Sequence, residues 1–200
     1  MATHIRHIVI ERASRDDPLT ARVRKRLPGV RETVTDDPRP LLETEPGGRA
    51  TLFLMRRRGA FVKDFPVTPG SPPCGEKYAI PMINCPYSCS YCYLRSYLGH
   101  GRLVLFTDRD RMKAEIGRAI SGESPERITT GEMSDSLALD ELTGTTIDLL
   151  PLFEGGGTLL EVRTKSARID HILSALPGGS GNLVITWTLG PPEMIEREEA

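Results

Sequence analysis

Short apolar, β-branched runs recur along this chain, separated by amphipathic stretches and by clusters of proline and glycine. Residues 4–11 (HIRHIVIE) read as a first strand. Asp16-Asp17-Pro18 then offers an acidic N-cap with proline in the first helical turn, ahead of LTARVRKRL, which stops at Pro28-Gly29. Residues 36–49 (DDPRPLLETEPGGR) are rich in breakers and read as a loop. ATLFLMRRR and GAFVKDF follow as two strands around Arg58-Gly59, before a second proline-rich joint at 66–75. The pattern predicts a small N-terminal α/β domain over residues 1–70.

Beyond the joint the pattern repeats. KYAIPMINC, ERITTG, TLLEVRTK and NLVITWTL are strand-like, and MKAEIGRAI, TTIDLLPLF and ARIDHILSAL carry apolar residues at helical spacing. LVLFTD adds one further strand after the cysteine segment. Strands alternating with helices imply a parallel sheet with right-handed crossovers, whose functional groups gather at the carboxyl ends of the strands. Four loops meet that description, beginning at Cys85, Gly131, Thr164 and Thr188. The chain stops at PPEMIEREEA, which would open another helix. A closed βα barrel needs ~200 or more residues, and only about 125 follow the joint. The expectation is an α/β protein whose residues 71–200 form a partial, C-terminally truncated βα barrel of parallel strands.

Charge adds little. The net charge is −1, but residues 1–73 carry 14 Lys and Arg against 9 Asp and Glu, while the rest carry 12 against 18. A nucleic-acid binder usually concentrates its basic groups on one face, and only Arg56, Arg57 and Arg58 form a cluster, which reads as a solvated strand end. No apolar run approaches the ~20 residues that span a bilayer, and the N-terminus lacks the apolar core of a secretory signal. The expectation is a cytoplasmic protein with no membrane partner.

The cysteines change the picture. All four, Cys74, Cys85, Cys89 and Cys92, fall within nineteen residues, a clustering that suits metal ligation more than a disulfide framework in a reducing compartment. Cys85, Cys89 and Cys92 have C-x3-C-x2-C spacing. Three thiolates from one loop can hold three irons of a cubane cluster and leave the fourth open. Structural zinc prefers four protein ligands, usually in two separated pairs, and Cys74 could complete such a set.

The run CPYSCSYCYLRSYL resembles the motif of the radical S-adenosylmethionine superfamily, and in detail the spore photoproduct lyase-like family. GEMSDSLALD, RTKS and the opening HIVIERASRDDPLTARVRKRLP are similar to the same family, so the resemblance spans nearly the whole chain and identifies it with the family's N-terminal portion. It implies a partial radical S-adenosylmethionine barrel with a [4Fe-4S] cluster on Cys85, Cys89 and Cys92. The open iron would chelate S-adenosylmethionine, whose reductive cleavage gives a 5′-deoxyadenosyl radical that abstracts hydrogen from substrate. In the lyase that substrate is a thymine-dimer photoproduct in DNA.

Residue by residue, the resemblance implies that Lys165 pairs with the cofactor carboxylate and that Ser134 contacts the cofactor. Asp135 would fix the loop or the ribose, and Gly131-Glu132 resembles the Gly-Glu element that holds the cofactor amine. Tyr91 and Tyr93 match a pair linked to hydrogen-atom relay. The family carries a cysteine two residues before the serine-aspartate pair, which returns a hydrogen atom to product; Glu132 stands there in this chain, and Gly190 stands where relatives often have asparagine. Implied partners are S-adenosylmethionine, a reductant such as flavodoxin or ferredoxin, and DNA.

Of the histidines, His4 and His7 lie on the first strand and His171 in an amphipathic helix, while His100 lies near the cysteines. The alternatives are a radical enzyme with a non-DNA substrate, an iron-sulfur electron carrier, and a nucleic-acid binder with a structural cluster. A carrier would close every iron position with protein ligands, and a binder would show a stronger basic face.

Overall fold

The structure, a computed structural model, describes residues 4–44, 47–72 and 74–199. Residues 45–46 of the breaker-rich loop and residue 73 of the second joint lie outside them. In chain order, β1 (His7–Glu11), α1 (Pro18–Arg26), β2 (Arg31–Thr35), α2 (Leu41–Thr44) and β3 (Thr51–Met55) come first. Then follow β4 (Val62–Asp64), β5 (Glu76–Ala79), β6 (Met82–Ile83), α3 (Leu94–Tyr97), β7 (Leu103–Phe106), α4 (Arg109–Gly122) and β8 (Arg127–Thr129). The chain continues with α5 (Asp140–Thr143), α6 (Thr145–Leu149), β9 (Leu159–Thr164), α7 (Asp170–Ala175), β10 (Leu183–Trp187) and α8 (Pro192–Glu198).

Two five-stranded sheets result, in the orders β2-β1-β3-β7-β6 and β10-β9-β8-β5-β4. Neighbours are parallel except at β6 on β7 and β4 on β5. The mixed α/β architecture with mostly parallel strands is the one the sequence predicts, and KYAI, RIT, LLEVRT and LVITW are the parallel series of the second sheet. Two details differ. LVLF does not extend that series; it pairs with β3 in the first sheet, Leu52 to Leu103 through Met55 to Phe106. KYAIPMINC breaks at Ile80-Pro81, since proline has no N–H for a ladder, and its two halves enter different sheets. β2, whose sequence RETVT is largely exposed, carries too few apolar residues to stand out from the pattern.

The continuous apolar runs of β1, β3 and β7 follow from burial on both faces. Val9, Phe53 and Val104 face a core shared with Met112 and Ile116 of α4, Ile128 and Leu160 of the second sheet, and Phe153. Their neighbours Ile8, Leu52 and Leu103 face the opposite side, against Leu19 and Val23 of α1 and Leu142 of α5. The first core lies between the sheets and locks them together. A smaller cluster of Leu137, Val162 and Ile172 packs α7 on the outer face of the second sheet.

Candidate active site

The cysteine loop starts where β6 ends. Asn84 adopts a left-handed backbone, φ 63°, which asparagine tolerates better than most residues. Buried at 2% exposure, it ties three segments together. Its N–H donates to the Met133 carbonyl at 2.9 Å, and its side-chain amide donates to the carbonyls of His100 and Arg102 at 2.8 and 3.0 Å. Arg49 adds a 3.0 Å bond to the Cys85 carbonyl. Cys89 and Cys92 follow within one turn, the Cys92 N–H reaching the Cys89 carbonyl at 3.2 Å.

Gly131–Asp135 leaves the carboxyl end of β8. At Gly131 a Cβ would meet Arg163 Cβ at 2.6 Å and the Arg163 carbonyl at 3.0 Å, so glycine is required for the loop to cross β9. Asp135 holds the next step. Its Oδ1 accepts from the N–H groups of Leu137 and Ala138 at 2.9 and 2.8 Å and from the Thr164 hydroxyl at 2.7 Å. Its Oδ2 accepts from the Lys165 N–H at 2.6 Å. Asp135 thus fixes its own loop and couples it to the end of β9, with the backbone of Lys165 bound directly to it.

These loops enclose a cleft of about 300 Å³. Its walls include Cys85, Cys89, Cys92, Tyr91, Tyr93, Gly131, Glu132, Ser134, Asp135 and Lys165, so the ten residues to which the resemblance gives a ligand, cofactor or relay role meet on one surface. Tyr87, Leu94, Arg163, Thr164 and Thr188 complete it. Cys74 does not join them; it is exposed and lines a separate hollow beside Phe65 and Glu126. His100 is also outside the cleft, its Nδ1 accepting the Arg102 N–H at 3.3 Å. His171 pairs with buried Asp140 at 2.9 Å, and His7 bonds the Thr33 hydroxyl at 2.9 Å. Arg56 and Arg57 are also engaged: Arg56 pairs with Asp17, and Arg57 stacks on Phe106.

The electrostatics of the cleft are uneven. Burial, reinforced by Asp135, pushes the Cys85 thiol up to about 11, and burial also raises Cys89. Metal-free, these sulfurs hold their protons; a metal would displace them. The Tyr93 O–H points at Glu132, 2.6 Å from its carbonyl and 3.2 Å from its carboxylate, and burial with that nearby charge raises the phenol well above its ordinary range. Burial disfavours the Lys165 ammonium, but its 2.6 Å bond to the Glu199 carboxylate outweighs this and keeps its pKa above the usual value. The Tyr91 ring lies 5.3 Å from the same ammonium, and its hydroxyl bonds Glu199. The segment that ends α8 therefore folds back on the cysteine loop, where the Ser90 N–H also donates to the Glu198 carbonyl at 2.9 Å. Among the described residues, no three His, Cys, Asp or Glu side chains close on one point as a single-ion site requires. The three cysteines are lining residues of the cleft.

Asn84, Tyr87, Arg163 and Glu199 were not foreseen. Tyr87 sits inside the cysteine motif and was open to inference; the other three depend on chain crossings that no local pattern reports.

No family model matches the chain, and no curated protein is similar to it in sequence. Solved structures match it in fold. Spore photoproduct lyase complexed with dinucleoside spore photoproduct superposes with TM-score 0.79 at 21% identity, over 98% of this chain and 59% of that one. A variant of that enzyme with bound AdoMet and dinucleoside spore photoproduct gives TM-score 0.78 at 20% identity, with the same coverage. A third form, a single-site mutant, gives 0.79 at 22%, again over 98% and 59%. The chain thus spans 59% of the length of the solved structures it matches. Across nearly its whole length this chain has the fold of a portion of spore photoproduct lyase, in agreement with the resemblance carried by its cysteine loop.

Proposed function

We propose that this chain is the N-terminal part of a radical S-adenosylmethionine enzyme of the spore photoproduct lyase type, acting on a nucleic-acid lesion. The observation that carries this reading is the meeting of the cysteine loop with Ser134, Asp135 and Lys165 on one cleft, although 80 positions separate Cys85 from Lys165. Three cysteines that line one pocket, from one short loop, suit a cubane cluster with one iron left open. Cys74, the thiol a four-cysteine zinc site would need, lies elsewhere.

When bound, a [4Fe-4S] cluster supplies the one-electron reduction that cleaves S-adenosylmethionine to a 5′-deoxyadenosyl radical. Cys85, Cys89 and Cys92 would hold it. Lys165 would hold the cofactor carboxylate; in the structure its ammonium binds that of Glu199, at 2.6 Å. Asp135 orients Lys165 through its backbone N–H, and Ser134, 4% exposed, lines the adjoining wall. Gly131 keeps the loop close to β9, and Glu132 offers a carboxylate to the cofactor amine. Tyr91 and Tyr93, 47% and 51% exposed at the cleft, would act in the hydrogen-atom relay that the resemblance implies. Because a carboxylate is a poor hydrogen-atom donor, Glu132 cannot replace the family cysteine. Tyr93, whose O–H faces Glu132, is the candidate for that role. The same substitution favours a second reading, in which the substrate is not DNA.

The test is anaerobic reconstitution with iron and sulfide, followed by dithionite and S-adenosylmethionine and an assay for 5′-deoxyadenosine. Product is expected, and Cys89→Ala abolishes both the iron-sulfur absorbance and product. An intact cluster without product would refute the reading. Oligonucleotide bearing the photoproduct, compared with undamaged oligonucleotide, then separates lesion repair from other radical chemistry.

A further inference from the structure

The carboxyl ends of the first sheet open onto a second hollow, of about 410 Å³, that shares no lining residue with the cysteine cleft. β1 leads through α1 to β2 on one side, whereas β3 has β7 on the other, so the winding reverses between β1 and β3. In open parallel sheets ligands bind in the crevice outside the strand ends at such a reversal. The hollow lies there: Arg22 reaches it from α1, Arg56 from the end of β3, and Arg109 and Lys113 from α4.

Most of its charges are already matched. Arg22 pairs with Asp148 at 2.9 Å, Arg56 with Asp17 at 3.1 Å, and Arg111 with Asp108 at 3.2 Å. Arg109 and Lys113 have no ion pair among the described residues, and the one lining carboxylate left over, Asp110, is exposed to solvent. Arg109 donates once, to the Thr145 hydroxyl at 2.8 Å, while its Nε and Nη1 are shut off from solvent without an acceptor. Burial pushes its pKa down to about 10, still far above neutral, so the guanidinium remains charged. Asp17 lines the same hollow, and its Oδ2 is also buried and without a donor. Buried polar atoms left unpaired are costly, and most have a partner. A ligand that suits this pair carries both an anionic group and a hydroxyl donor. The amino end of α4, fourteen residues long, adds a field that favours the anion.

We propose that this crevice binds a sugar phosphate, free or as part of a mononucleotide, with its phosphate on Arg109 and Lys113 and a sugar hydroxyl donating to Asp17. The site is independent of the cysteine cleft and does not rest on the function proposed for it.

Calorimetric titration of the intact chain with ribose 5-phosphate, adenosine 5′-monophosphate and inorganic phosphate tests this, with ribose and adenosine as uncharged controls. A phosphorylated sugar is expected to bind and both controls to fail. Tighter binding of the nucleotide than of ribose 5-phosphate assigns a mononucleotide, and equal binding a free sugar phosphate. Arg109→Met should weaken binding on the order of tenfold or more, the loss expected of a charge-assisted contact. Asp17→Asn should weaken the phosphorylated sugars while sparing inorganic phosphate, and Lys165→Ala, in the other cleft, should leave the affinity for these phosphates unchanged. Failure of both phosphorylated sugars at millimolar concentration, binding of inorganic phosphate alone, or loss of binding in Lys165→Ala would each overturn the proposal. So would undiminished affinity in a folded Arg109→Met. If that variant does not fold, Lys113→Ala reads the same charge from a half-buried position, and unchanged affinity there overturns it equally.

Discussion

The two sheets use similar parallel strand arrangements for different ends. In the first, β1, β3 and β7 are buried on both faces, and arginine-aspartate pairs occupy much of the surface at their carboxyl ends. In the second, the carboxyl ends of β8 and β9 continue into loops that approach the cysteines and enclose a cleft. Its edge strand β10 buries little, and Trp187 at its end is 39% exposed. Burial of continuous apolar strands supplies stability, and most of the charged groups at their ends are matched with one another. Loops held by a few polar anchors supply a site at the expense of local stability.

That contrast can be broken most forcefully at Phe53. Its side chain is fully buried in the core between the sheets, so Phe53→Ala should cost about 3–5 kcal/mol in urea denaturation. The fraction that stays folded should bind S-adenosylmethionine as before. An equal loss of affinity would show that the sheets do not divide stability and binding. Gly131→Ala should do the reverse. Forcing a Cβ to within 2.6 Å of Arg163 is expected to cost about 1–3 kcal/mol and to weaken S-adenosylmethionine by roughly tenfold or more in calorimetry, because the cleft wall must shift.

A gentler probe is Glu199→Gln. The Lys165–Glu199 pair is largely enclosed, its side chains 17% and 15% exposed, and on the proposed function a cofactor carboxylate would have to displace Glu199 to reach the ammonium. Neutralising it should tighten S-adenosylmethionine a few-fold, and weaker binding would contradict the competition.

The smallest effect is a pH dependence on α7. The hydrogen bond to Asp140 raises the His171 pKa above 6.5, against the opposing effect of burial. A raised folded-state value means that this contribution is complete below the unfolded pKa and fades as pH rises through the folded one. Melting temperature followed from about pH 5.5 to 8.5 should therefore decline more in the parent than in His171→Gln. Parallel curves would remove His171 from the account.

The sequence alone determined the parallel α/β class, helix α1 between its proline and Pro28-Gly29, and the cysteine motif with its spacing. It also marked the loops that follow β8 and β9, since turn residues after apolar runs announce a strand end. These are local signals, carried by residues a few positions apart. Which sheet each strand joins was decided only in three dimensions: LVLF fits either by composition, and pairs with β3 because that places Val104 and Phe106 in the core between the sheets. The same holds for Asn84, whose left-handed backbone is worth adopting only where Met133, His100 and Arg102 converge on it. Glu199 is the plainest case: nothing in an acidic tail predicts that it closes on Lys165. A contact across 34 positions depends on where the intervening strand returns the chain.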